Sequence, residues 1–249
     1  MNTWKKYLPE YEFTLWNDSN FDVNICSYAK EAYDAGKYAF VSDYVRLWAL
    51  YNYGGIYMDT DIEVLKPLDH LLNCQAFTVI SKPPSNLRTN FMGSVKGHPW
   101  IKAVMDSYSC RHFLLENGKY DMTPNICVGD IAQDMYHFRT DGRQQELEDG
   151  VVLYPYEVSG AYDFETGRVN ITDNSYVIHW NSASWWDEGQ YEQYIRQQKF
   201  KRIFGVKNWK RIIYIKTYIK NALFLLKDKG LKVFLRKAFQ KVRRIFTRT

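Results

Sequence analysis

No stretch of the chain strings together the roughly 18 uncharged apolar residues that a spanning helix needs, so nothing in it is expected to cross a bilayer. Residues Met1 to Lys6 have no apolar run behind them, so neither a cleaved secretory signal nor an N-terminal anchor is expected. Cysteine is scarce. Cys26, Cys74, Cys110 and Cys127 form no C-x-x-C pair, and no histidine spacing suggests zinc. A reduced, cytoplasmic compartment is the simplest reading. Internal repeats and low-complexity tracts are also lacking. Acid is nearly missing from the end of the chain: residues 199–249 hold 17 lysines and arginines against one acid, Asp228, a net of +16. The preceding 198 residues hold 16 basic and 27 acidic side chains, a net of −11. Such a split predicts that the two parts meet different partners.

What remains is ample for a folded domain. Hydrophobic residues make up 46% and aromatics 17% of the 249 residues, which excludes wholesale disorder. Tyr11–Trp16 alternates and is rich in β-formers, so it reads as a strand. Ser42 is placed to cap a helix running to about Tyr53, and Gly54-Gly55 stops it. Ile56–Met58, Ile62–Leu65, Gln75–Ser81, Phe91–Val95, Val151–Tyr154 and Tyr176–His179 read as strands. Helices are expected over residues 25–35, 100–115 and the second half of 126–138. Strands alternating with helices predict an α/β sheet domain, here residues 1–198, followed by a tail over 199–249.

The densest chemistry lies between Ser42 and Asp61. Asp59 and Asp61 stand one residue apart at a strand end, where residues two apart point the same way. Two such carboxylates suit a hard divalent cation, Mn²⁺ or Mg²⁺, which takes oxygen ligands and shares itself with a substrate diphosphate. Exposed loop acids give the same pattern. Asp43 and Arg46, three apart on a helix, read either as a surface ion pair or as groups that reach a sugar donor. Gly54 and Gly55 read either as a helix stop or as a close backbone approach beside the metal.

The stretch resembles the sugar-binding D-x-D region of glycosyltransferase family 32, and is similar to the glucosylating domain of large clostridial toxins. The shared pattern, S-D-x-x-R then Y-G-G-x-Y-x-D-x-D, is met by Ser42, Asp43, Arg46, Tyr53, Gly54, Gly55, Tyr57, Asp59 and Asp61. Trp4–Asn17, Thr89–Ser94 with Gly97-His98-Pro99, and Val177–Trp185 resemble further family segments. The family opens with one more strand, ahead of the equivalent of Trp4, where this sequence begins.

The resemblance implies a GT-A-like, Rossmann-type mixed sheet flanked by helices, and sugar transfer from a nucleotide-sugar donor with retention at the anomeric carbon. It implies that Asp59, Asp61 and His179 hold the metal, and that Asp43 and Arg46 hold the donor sugar. Tyr57 and Asn90 would line the pocket, and Ser184 and Trp185 would close over the diphosphate. The acceptor is expected to be a glycan or a lipid-linked sugar, as in surface polysaccharide synthesis.

Two amphipathic stretches, residues 207–226 and 231–245, put apolar side chains on one side and lysines and arginines on the other. This basic helical tail is expected on an anionic membrane surface, at the inner face of the cell membrane. A helical cap on the catalytic domain is the rival. Nucleic acid is not an expected partner, because no nucleic-acid module accompanies the charge. Two other functions compete. Asp59-x-Asp61 with Gly129-Asp130 imitates haloacid-dehalogenase-like phosphatases, but Glu63 stands where those enzymes want Thr or Val. A degenerate transferase kept as a scaffold is the other.

Overall fold

The run Ala76-Phe77-Thr78-Val79-Ile80 is buried at every position, the mark of a strand covered on both faces. It forms β3 (Ala76–Ile80). Its neighbours are β4 (Leu87–Ser94), antiparallel, and β6 (Val151–Tyr154), parallel. β1 (Gly55–Met58) adds antiparallel to β4, and β5 (Gln145–Glu146) adds antiparallel to β6. The sheet order is β1-β4-β3-β6-β5. This is a mixed five-stranded sheet flanked by helices, as expected. The computed structural model describes residues 2–82, 86–121, 126–182, 188–220 and 223–224.

Strand alternation sends Ala76, Ile80, Val151 and Leu153 to one core and Phe77, Val79 and Val152 to the other. The first core is closed by α2 (Ser27–Asp34), α3 (Tyr38–Tyr53), α4 (Pro99–Asp106) and α5 (Ile126–Tyr136). The second packs under α1 (Asn2–Tyr7) and the ribbon of β2 (Ile62–Val64) with β9 (Val177–His179). Trp4 pins α1 to that ribbon by donating its indole N–H to the Ile62 carbonyl, 2.7 Å away. A small hairpin, β7 (Tyr162–Asp163) with β8 (Arg168–Val169), completes the strands among the described residues.

Three expectations need correction. Tyr11–Trp16 is not in a strand. It is held by aromatic contacts instead: Phe13 lies 5.9 Å from Trp4, and Trp16 lies 5.2 Å from Trp48 and 5.3 Å from Tyr53. Ser42 does not cap α3, which starts at Tyr38 with no side-chain cap; its hydroxyl donates to the Ala39 carbonyl inside the helix. The helix expected to reach residue 115 ends at Asp106 and tightens into a 3₁₀ turn, Ser107–Cys110. There Ser107 and Ser109 bond back to the carbonyls of Val104 and Asp106, the competition with helix that serine offers.

Gly54 ends α3 with φ 76° and ψ −166°, its N–H still donating to Leu50. A Cβ here would meet the Lys96 backbone nitrogen at 2.8 Å. Gly54→Ala is therefore expected to lower unfolding free energy by about 1–3 kcal/mol, measured by urea denaturation. Gly36→Ala has a similar φ of 68° but nothing within 4 Å, and should cost less. Equal losses at both sites would refute the steric argument.

Contacts group the chain into two units, Met1–Asp163 with Arg168–Tyr191, and Phe164–Gly167 with Glu192–Thr249. In the second, Phe164 stacks on Tyr194 with ring centroids 4.5 Å apart, and Gln198 donates to the Phe164 carbonyl. These side chains lie on or against α6 (Glu188–Phe204). A further helix covers residues 206–220, where Ile212, Ile215 and Ile219 are exposed. No helix among the described residues is long and apolar enough to cross a membrane. The stretch 231–245 lies outside the described residues.

Candidate active site

β1 delivers Asp59 just beyond its last residue, and the chain turns at once: Asp59 N–H donates to the Asn90 carbonyl at 3.0 Å, and Ile62 N–H to the Asp59 carbonyl at 3.0 Å. The turn throws Asp61 toward β9, whose register sets His179 opposite Ile62. One ligand atom from each of Asp59, Asp61 and His179 falls within 4.8 Å of the others. His179 Nε2 stands 3.1 Å from Asp61 Oδ1 and 3.7 Å from Asp59 Oδ2.

The two carboxylates are held differently. Asp61 Oδ2 accepts the Ser182 N–H at 2.7 Å. Burial pushes the Asp61 carboxyl up, but the contacts from His179 and Ser182 outweigh it and bring it down to about 2. Its environment thus favours the anion. Asp59 Oδ1 accepts the Tyr57 hydroxyl at 2.8 Å and faces Arg46 Nη1 at 3.6 Å.

Asp43 and Arg46 are not a surface pair. Asp43 is 6% and Arg46 5% exposed, because nearly all sides of α3 are covered. Arg46 Nη2 meets Asp43 Oδ1 at 2.7 Å, Nη1 donates to the Thr89 carbonyl and hydroxyl, and Nε donates to the Ser42 carbonyl. Its guanidinium also lies 4.7 Å over the Tyr57 ring. Burial opposes the Arg46 charge, yet Tyr57, Asp59 and Asp43 outweigh it and hold the group above its ordinary value. Burial pushes Asp43 up to about 6 against the pull of Arg46. Arg46 therefore braces two carboxylates, one on α3 and one after β1.

Asn90 is buried beside Asp59, and its Nδ2 has no partner. Gly54 and Gly55 are not brought to the acid pair: Gly55 begins β1 with Gly54 just before it, and at a rise of about 3.3 Å per residue the strand carries Asp59 well away from them. Gly54 ends α3. Ser184 and Trp185 lie outside the described residues.

Arg88 gave no signal in sequence, and the meeting of Trp180 with Glu63 could not be read from it. Arg88 on β4 donates from Nη2 to His179 Nδ1 at 3.2 Å and from Nε to Asn90 Oδ1 at 3.2 Å. Arginine only donates, so Nδ1 accepts, and the neutral ring carries its proton on Nε2, toward Asp61. Ligation of a metal through Nε2 would require that proton to leave. Trp180, 40% exposed, donates to Glu63 Oε2 at 3.0 Å. Trp180 and Glu63, with Asp61, line a pocket of about 430 Å³. Only the pairing of β2 with β9 makes neighbours of residues so distant in sequence.

The donor set fits a hard divalent ion: two carboxylates at the end of one strand, one of them held fully ionised. Comparison with known proteins finds the resemblance over part of the chain. Residues 1–78 match the glycosyltransferase sugar-binding region containing the DXD motif. The acid pair falls inside that region, and His179 far outside it. Inositol phosphoceramide mannosyltransferase 3 of Schizosaccharomyces pombe is 38% identical over 101 residues, covering 39% of this chain and 28% of that protein. Mannosyl phosphorylinositol ceramide synthase CSH1 of Saccharomyces cerevisiae is 33% identical over 103 residues, covering 40% and 27%. The chain thus aligns with little more than a quarter of the length of these relatives. Among solved structures, PaToxG glycosyltransferase is similar over 43% of this chain and 39% of that one, at 19% identity and a TM-score of 0.35.

Proposed function

We propose that this protein transfers a sugar from a nucleotide-sugar donor to a lipid-linked or glycan acceptor, with retention at the anomeric carbon. The observation that carries the proposal is the meeting of Asp59 and Asp61, just past β1 and inside the matched sugar-binding region, with His179 at the end of β9. Asp59 and Asp61 would hold Mn²⁺ or Mg²⁺, with His179 beside them. Such an ion offsets the negative charge that builds on a departing nucleoside diphosphate. In the transfer, the bond from the sugar C1 to the diphosphate oxygen breaks and the acceptor oxygen bonds to C1 on the same face. The acceptor's proton leaves with the diphosphate.

Asp43, Asn90 and Tyr57 are assigned to the donor sugar. Asp43 offers a buried carboxylate to hydroxyls, and the unpartnered Asn90 Nδ2 offers a donor to an oxygen. Arg46 serves the same end by holding Asp43 and Asp59 in place. Ser184 and Trp185 keep the role the family resemblance gives them, closure over the diphosphate. The relatives are named for mannosylating an inositol phosphoceramide, which favours a lipid acceptor here. The basic tail, with net charge +16 over residues 199–249, would then hold the enzyme at an anionic membrane, on its cytoplasmic face.

Purified protein is expected to hydrolyse GDP-mannose or UDP-glucose slowly with Mn²⁺. EDTA should stop the reaction and excess Mn²⁺ restore it. Arg46→Lys keeps the charge but loses the planar fork, and should slow hydrolysis at least tenfold, about 1.4 kcal/mol of transition-state stabilisation. Arg46→Ala would leave Asp43 buried and unpaired, at about 3–5 kcal/mol of stability, so lysine is the cleaner variant. Hydrolysis that survives EDTA would sink the metal assignment. Full activity in Arg46→Lys would reduce the buried network to a structural one.

A further inference from the structure

Arg88 lies next to the acid pair, yet among the described residues no carboxylate pairs with it within 4.0 Å. Its guanidinium instead faces the Tyr156 ring at 5.4 Å, Asn90 Oδ1 and His179 Nδ1. Nε and Nη2 are the two donors along one edge of a planar fork. That edge spans two side chains from different elements, one on β4 and one closing β9.

We propose that Arg88 is a positioning residue that locks Asn90 and His179 together, so that Asn90 presents a donor to the ligand and His179 stays turned on Asp61. The proposal rests on the glycosyl-transfer reading for its consequence, though not for its geometry. Asn90 has one acceptor oxygen, and Arg88 occupies it. The carboxamide must therefore direct Nδ2 elsewhere, and Nδ2 is the atom that is buried without a partner. A buried N–H in that state is unfavourable, and the arrival of a ligand oxygen relieves it. The ligand atom opposite Asn90 is thus an acceptor, a sugar hydroxyl or a phosphate oxygen. Without Arg88 the carboxamide can turn over and offer its oxygen instead. The same loss frees Nδ1 of His179, so the ring can swing from Asp61. Lysine cannot replace this, because one ammonium group does not reproduce two coplanar donors.

The test uses the full chain, Arg88→Ala and Arg88→Lys. In metal-free protein at one fixed pH, ¹⁵N-histidine spectra, with the His179 signals assigned from His179→Gln, report the ring. The wild type should show Nδ1 without a proton and Nε2 with one. Arg88→Ala should show an averaged ring. In donor hydrolysis with Mn²⁺ and either GDP-mannose or UDP-glucose, Arg88→Ala should lose kcat roughly tenfold to a hundredfold, as misplaced groups do, with a smaller change in KM. Millimolar guanidinium should restore part of that loss in Arg88→Ala and do nothing for the wild type. Arg88→Lys keeps the local charge and controls for folding; it should remain slow. An unchanged His179 ring in Arg88→Ala overturns the proposal, and so does wild-type kcat in Arg88→Lys. If the wild type neither binds Mn²⁺ nor hydrolyses either donor, the transfer reading fails, and the ring spectra still decide the role of Arg88.

Discussion

Asp61→Ala is expected to abolish the rise in melting temperature that Mn²⁺ and a nucleoside diphosphate together give the wild type. A ligand that binds only the native state stabilises it by about 2.7 kcal/mol at a hundred times its dissociation constant. For a domain of this size that is a shift of roughly 5–10 °C. The contacts of Asp61 bring its carboxyl down to about 2, so its loss removes a charged ligand. The metal-free variant has its own signature. A carboxyl whose folded value lies below the ordinary 3.9 or so adds stability that is complete above that value and is lost as pH falls toward about 2. Metal-free Asp61→Ala should therefore melt below wild type at pH 7, and the gap should close as pH falls from about 4 to about 2. An undiminished metal-dependent shift in the variant would place the ion elsewhere. Differential scanning fluorimetry with GDP and UDP, each with and without Mn²⁺, reads all of this.

The acid pair was legible because its chemistry is written in consecutive residues. A strand end, two acids one residue apart and a preceding Gly-Gly helix stop are local features, and the structure keeps them local: Gly54 ends α3, and Asp59 follows β1. The mixed sheet was legible for a similar reason, since buried strands such as Ala76–Ile80 are continuous apolar runs. What stayed hidden depends on which elements become neighbours. An i, i+3 pair looks the same on an exposed helix as on a covered one, so the burial of Asp43 and Arg46 could not be read. Arg88 carries no pattern at all; its place beside His179, 91 positions away, exists only once both residues have been folded toward Asp59. Tyr11–Trp16 failed in the opposite direction. Its alternation satisfies a strand's face preference, but a strand also needs a partner for its backbone groups, and aromatic contacts claim the segment instead. The helix start failed because α3 opens at Lys37-Tyr38 with no side-chain cap to mark it.

Vesicles containing anionic lipid are expected to sediment the full chain, and neutral vesicles to leave it in solution. The cause lies in the last 51 residues, where 17 basic side chains face one acid. On the described helix over 206–220, Lys207, Lys210, Arg211, Lys216 and Lys220 are exposed alongside Ile212, Ile215 and Ile219. Each basic residue near an anionic surface contributes about 1 kcal/mol, and apolar burial in the interface adds roughly 25 cal/mol per Å². Five cations and three isoleucines are enough for a bound state without a spanning segment. Binding of this kind is screened by salt, since the Debye length falls from about 10 Å at 0.1 M to about 3 Å at 1 M. Molar salt should therefore release most of the protein. Removing residues 207–249 should abolish sedimentation and leave Mn²⁺-dependent donor hydrolysis measurable. Replacing Lys207, Lys210 and Arg211 by Glu in the full chain makes the same test without a deletion, and should weaken binding by more than tenfold, since each reversal loses an attraction and adds a repulsion. If the tail instead caps the catalytic unit, the truncated protein will unfold and the full chain will ignore vesicles of any charge. Equal sedimentation with neutral and anionic vesicles would leave apolar burial as the sole force and remove charge from the explanation.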